Sequence, residues 1–162
     1  LHPKGIALHK TATITAINFR VVCSIKGIVH SFDMTKASVH DIKYLNDLKY
    51  GISHCTLLGD KGYVSKDILL NLFETAHIRL EVPYRSNQKD FKPWFSPFRK
   101  LRKRVETVFS QLDDQFLLLR NDAKDVKGIF TRVLAKITSI TALQYLNKIN
   151  NRPIGRVKYA LS

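Results

Sequence analysis

Hydrophobic and polar positions divide the chain into strand-like and helix-like stretches. Thr13 to Ile25 is dense in Thr, Ile, Val and Phe, the composition of a pleated, half-buried surface. Lys26-Gly27 supplies a turn and Ile28 to Met34 reads as a second strand, so the two predict a hairpin. A helix is expected from about Val39 to Leu48, with Ser38 as its cap. Cys55 to Leu58 is apolar or β-branched throughout, which fits a strand covered on both faces of an α/β sheet. From Ser65 or Lys66 a helix carries Ile68, Leu69, Leu72 and Phe73 at helical spacing, and Ile78 to Tyr84 reads as another strand. After an aromatic and proline-rich connection, a long helix runs from Phe98 to about Leu119 with Leu101, Val105, Val108, Leu112 and Leu119 on one stripe. A last helix, Ile129 to Lys148, places Val133, Ile137, Ile140 and Leu143 or Leu146 inward. Residues 1–12 show no period and are expected to form an irregular lead-in, and residues 147–162 a basic tail that frays. The order is that of an α/β domain with at least one antiparallel hairpin, occupying 1–162 as one unit.

Composition narrows the partners. The chain has 162 residues, 44% apolar and 25% charged, which is enough for one packed domain and argues against disorder. Its formal net charge of +14 favours a polyanion. No apolar run approaches the roughly 20 residues of a membrane span, and no signal-peptide pattern opens the chain, so nucleic acid is preferred over a membrane surface. Cys23 and Cys55 are isolated in apolar stretches and read as reduced structural thiols, consistent with a cytoplasmic setting.

Two carboxylates stand out. Asp60, in Gly59-Asp60-Lys61-Gly62, follows a buried strand directly, at the sheet edge where α/β sites form; an ordinary Asp turn is the competing explanation. Glu106 interrupts a strongly basic helix. Between Arg85 and Glu106 eight basic residues face only Asp90 and Glu106. At 3.6 residues per turn Arg99, Arg102, Glu106 and Asp113 lie near one line, distinct from the apolar stripe. Taken alone, Glu106 is as well explained by an Arg102–Glu106 surface pair. Phe91, Lys92, Trp94, Phe95, Phe98 and Arg99 interleave aromatics with charge, the pattern of base stacking combined with phosphate neutralisation; a loop pinned to the core by its aromatics is the competing explanation and the preferred one for Phe95 and Phe98, with Trp94 expected to be exposed.

Together these stretches resemble the catalytic domain of insertion-sequence transposases of the DDE type, in the IS4-like superfamily and closest to the IS982 family. Thr56 to Tyr63 is similar to the second-Asp motif, Arg99-x-x-Arg102-x-x-x-Glu106 to the Glu-bearing helix, and Ser31 to Asp41 to the strand and helix between the first two Asp residues. The resemblance covers roughly Lys4 to Asn147. It implies an RNase H-like mixed sheet flanked by helices, with Asp60 and Glu106 as catalytic metal ligands. It also implies two Mg²⁺ or Mn²⁺ ions in the intact enzyme, and transposon-end and target DNA as substrates. Lys61, Arg85, Lys92, Trp94, Arg99, Arg102 and Lys103 would contact DNA. A bacterial, cytoplasmic, nucleoid-associated homodimer is expected. The family's first Asp lies on the central strand, yet no Asp or Glu precedes Asp33 here, and the chain begins at Leu1. The sheet is therefore expected to lack its first strand or to borrow one from residues 1–11 or from another chain, and the chain to be inactive alone. A non-catalytic nucleic-acid-binding domain and an RNase H-like nuclease or resolvase are the alternatives.

Overall fold

The computed structural model describes residues 5–14, 17–38, 41–59, 66–83, 91, 93, 95–120, 122–123 and 125–162. Five strands form one sheet: β1 (Gly5–Ile14), β2 (Ile17–Ser24), β3 (Val29–Lys36), β4 (Cys55–Leu58) and β5 (Arg79–Glu81), in the order β3-β2-β1-β4-β5. Helices α1 (Asp41–Leu48) and α2 (Lys66–Ala76) cover one face; α3 (Ser96–Phe116) and α4 (Val126–Ile149) cover the other. A 3₁₀ turn, Val157–Leu161, closes the chain.

The largest departure from the sequence reading is at the start. Residues 5–12 are not an irregular lead-in; of the two expectations for the sheet, a missing central strand does not hold and a strand drawn from the start of the chain does. Gly5–Ile14 occupies that position, antiparallel to β2 and parallel to β4, with Leu8 opposite both Cys23 and Leu58. The stretch read as one strand from Thr13 to Ile25 is divided between two: Thr13 and Ile14 end β1, and Ile17 begins the antiparallel β2. A pleated strand buries alternate residues, and Ala7 and Leu8, on opposite faces, each find a separate apolar core. The weak period of residues 6–10 reflects burial on both sides of the sheet, which erases alternation.

The predicted β2–β3 hairpin is present. Its turn needs a glycine: Gly27 has φ +82°, and a Cβ there would sit 3.2 Å from both the Arg104 and Val108 side chains. Leu57 and Leu58 of β4 are fully buried on opposite faces, the two-sided strand expected from Cys55–Leu58. On the α3/α4 side Phe19 and Phe109 meet edge-on at 5.7 Å between Leu8, Val21, Leu112, Val133 and Ile140. Phe109 was not on the predicted stripe. Leu119 was, and it is half exposed, because α3 ends at Phe116 with Leu117 in the left-handed conformation. On the α1 side Arg20 is fully buried, paired to Asp33 at 3.3 Å, bonded to the Thr35 hydroxyl and stacked 5.8 Å from the Tyr44 ring.

The tail does not fray. The buried stripe of α4 continues past Ile140 through Gln144 and Asn147, with Leu143 partly buried against the core and Leu146 exposed. Gln144 donates to the Gly27 carbonyl (2.8 Å), and Asn147 to the carbonyls of Pro153 (3.2 Å) and Arg156 (2.9 Å). Gln111 of α3 donates to the Gly155 carbonyl and accepts from the Val157 N–H. Two amides on helix faces thus supply the partners that an irregular segment would otherwise take from water. Replacing both Gln111 and Asn147 by Ala is expected to free the segment after Asn150. Limited trypsinolysis should then cut at Arg156 or Lys158 at least tenfold faster than in the unmodified chain; equal rates would contradict the docking.

Candidate active-site edge and nucleic-acid interface

Parallel pairing of β1 with β4 ends at Leu8 and Leu58. Beyond it β4 hands over to Gly59, whose N–H bonds the Glu81 carbonyl (2.9 Å), and β1 continues through His9 to Ile14. This is the C-terminal end of β4 and of its parallel pairing with β1, the position at which sites form in α/β sheets. Asp60 follows Gly59 in the sequence. Asp60, Lys61, Arg85, Lys92 and Trp94 lie outside the described residues.

Helix α3 crosses β1 and β2 with Val105, Val108, Phe109 and Leu112 buried. A proline in its first turn, Pro97, suits a position whose N–H has no helical acceptor. Glu106 is exposed on α3, as are Arg99 and Lys103, while Arg102 is half-buried. Asp113, placed by helical spacing near the Glu106 line, accepts from the Leu119 N–H (3.0 Å) and so closes the C-terminal turn of α3. Phe95 is exposed and packs edge-on against half-buried Phe98 at 5.2 Å; Phe91 is exposed.

Two features at this edge escaped the sequence reading. His9 is buried beside Tyr44 (5.5 Å between rings) on the α1 face. Lys10, its neighbour, points to the α3 face with its ammonium 5.5 Å from the Phe109 ring, and Phe109 lies three residues beyond Glu106. The missed signal was the alternation Leu8-x-Lys10 on a strand that had been taken for a lead-in.

These residues fit a pair of divalent ions poorly. β1 carries no Asp or Glu, and where it passes the end of β4 it offers an ammonium instead. Asp33 cannot substitute, because its pairing with buried Arg20 holds it on the α1 face, away from α3. Among the described residues no three His, Cys, Asp or Glu side chains converge on a common point. Cys23, buried against the α3 side of the sheet, is pushed up to about 12 by burial and is an unreactive core thiol. Among the described residues no helix is long and apolar enough to cross a membrane.

Sheet order and helix placement define the class: an RNase H-like α/β domain. The catalytic core domain of BIV integrase is one solved structure of this form. It superposes with a TM-score of 0.58 at 12% identity over 85% of this chain and 84% of that one. The family follows from the sequence itself. Residues 9–142 match the model of the transposase DDE domain, and the chain belongs to that family. No curated protein matches.

Proposed function

We propose that this chain is the catalytic domain of a DNA transposase of the IS4-like superfamily, closest to the IS982 family, acting on transposon ends and target DNA. The intact enzyme would direct water onto a phosphodiester at each end and then use the freed 3′-hydroxyl to attack target DNA. Asp60 and Glu106 would be its acidic pair and would hold a divalent ion. Arg99, Arg102 and Lys103, with Lys61, Arg85 and Lys92, would neutralise phosphates, and Trp94 would stack on a base. The observation that carries the reading is the match of residues 9–142 to the transposase DDE domain. It is supported by a sheet whose β4 leads straight into Gly59-Asp60 and by an α3 that presents Glu106 beside Arg99, Arg102 and Lys103.

A second reading, a DNA-binding domain of the same fold that does not cut, is favoured by the acid-free β1 and by Lys10. Both readings require backbone-dominated DNA binding. Affinity for a short duplex is expected to fall steeply with salt, and replacing Arg99, Arg102 and Lys103 together by Gln should lower the slope of log K against log salt by about 2–3, at roughly 0.9 per phosphate contact. Fluorescence anisotropy across a salt series measures this, and a flat titration of the unmodified chain would sink both readings.

A further inference from the structure

The docked C-terminal segment gives the chain a second concentration of positive charge, on the other side of α3 from Glu106. From Asn147 to Ser162 there are four Lys and Arg and no acidic residue. As a frayed tail this would be loose charge. In the fold it is a fixed surface: Val157 is fully buried, and Gly155 and Val157 are both held by Gln111, with Arg156 between them exposed. Gly155 is required for the approach, since a Cβ there would lie 2.8 Å from the Lys26 carbonyl and 2.9 Å from the Arg104 guanidinium. The segment therefore touches both the β2–β3 turn and α3.

Helical geometry separates this surface from the Glu106 side. At about 100° per residue, Lys100, Arg104 and Gln111 fall within about 40° of one another, and Arg99, Arg102 and Glu106 within about 60°. The centres of the two groups are about 150° apart, with buried Val105, Val108 and Leu112 between them on the inner side and exposed Lys103 between them on the outer. Lys26, Lys100, Lys148, Arg156 and Lys158 are exposed, and Arg104 lies half-buried beneath the segment. The cations of the Arg85–Arg104 run, continuous in sequence, are thus split between two flanks of one helix.

We propose that the C-terminal segment, the Gly27 turn and the Lys100–Arg104 flank of α3 form a phosphate-binding face of their own for duplex DNA, separate from the Glu106 flank. The inference rests on the DNA-binding reading above for the identity of the polyanion. Six cations with no carboxylate among them, fixed by backbone hydrogen bonds, meet a duplex backbone without the ordering cost that a free tail would carry.

The test compares three proteins in duplex-binding titrations over a salt series: the unmodified chain, the Arg99/Arg102/Lys103→Gln variant, and a variant with Lys148, Arg156 and Lys158 all changed to Gln. These last three side chains are exposed, so thermal melting should not move. The expected result is a slope lowered by about 2–3 and low-salt affinity weakened on the order of ten- to a hundredfold, with the losses of the two variants adding in log K. Gly155→Ala, which lifts the segment without removing charge, should also weaken binding. If the unmodified chain does not bind DNA, the nucleic-acid reading itself fails. If it binds, and responds to the α3 variant but not to the C-terminal variant or to Gly155→Ala, this inference alone is overturned. Tighter binding to anionic phospholipid vesicles than to the duplex would overturn it as well.

Discussion

DNA offered to the purified chain with Mg²⁺ or Mn²⁺ is expected to remain uncut, and Lys10→Asp is expected to raise its affinity for Mn²⁺ at least tenfold. Two divalent ions a few ångströms apart repel one another and need several carboxylates to hold them. Asp60 and Glu106 supply two by the proposed reading, and the central strand supplies none. It supplies Lys10, on the α3 face just past the last β1–β4 pair, with its ammonium over Phe109. A positive charge there opposes any cation at the edge. At a separation of order 8 Å and an effective dielectric near 20, one unit-charge pair is worth about 2 kcal/mol. Exchanging an ammonium for a carboxylate changes the local charge by two units. Tenfold, about 1.4 kcal/mol, is therefore a conservative expectation once screening and the desolvation of the new carboxylate are subtracted. Mn²⁺ titration followed by electron paramagnetic resonance reads the affinity without requiring turnover. Unchanged affinity in Lys10→Asp would show that Lys10 does not face the site. Robust cleavage by the unmodified chain, abolished by Asp60→Ala, would show that a third carboxylate reaches the edge from elsewhere and would remove the non-catalytic reading.

Leu8→Asp is expected to unfold the chain, whereas Thr13→Asp on the same strand should be tolerated. Leu8 is fully buried between β2 and β4, opposite Cys23 and Leu58, in the core shared with α3 and α4. Its replacement forfeits about 2–3 kcal/mol of apolar burial and adds several kcal/mol for a carboxylate without a partner. That sum approaches the whole stability of an ordinary domain, about 5–15 kcal/mol. Thr13 is exposed near the free end of the strand, where its hydroxyl bonds Asn18 (3.0 Å), so its replacement should cost about 1 kcal/mol or less. Urea denaturation followed by far-ultraviolet circular dichroism separates the outcomes. Near-normal melting of Leu8→Asp would mean that residues 5–14 do not fill the centre of the sheet, as the reading of residues 1–12 as a lead-in implies.

Much of the architecture was legible in the residues. The hairpin about Gly27, the two-sided strand at Cys55–Leu58, and helices near 41–48, 66–76, 96–116 and 126–149 all follow from local composition and period, because each of those stretches buries one face, or both, in a way its own sequence records. The RNase H-like class and the transposase family were legible too, through motifs that are short and contiguous. The charge of +14 and its concentration between Arg85 and Arg104 needed no fold to be seen.

What only the tertiary structure decided concerns partners distant in sequence. Gly5–Ile14 is a strand because Cys55–Leu58 and Ile17–Ser24 supply its hydrogen bonds on both sides, and nothing within ten residues announces that. Lys10 became part of the candidate active-site edge only once β1 was registered against β4. Asp33 was removed from that edge by Arg20, on a neighbouring strand 13 residues away. The C-terminal segment looked loose because it is polar and lacks a period. Its order comes from Gln111 and Asn147, helix amides that satisfy backbone groups up to 46 residues distant. A sequence window reports propensity and burial pattern; pairing across the sheet and between helices is set by which distant groups meet once the chain has collapsed, and there the position of each charge was decided.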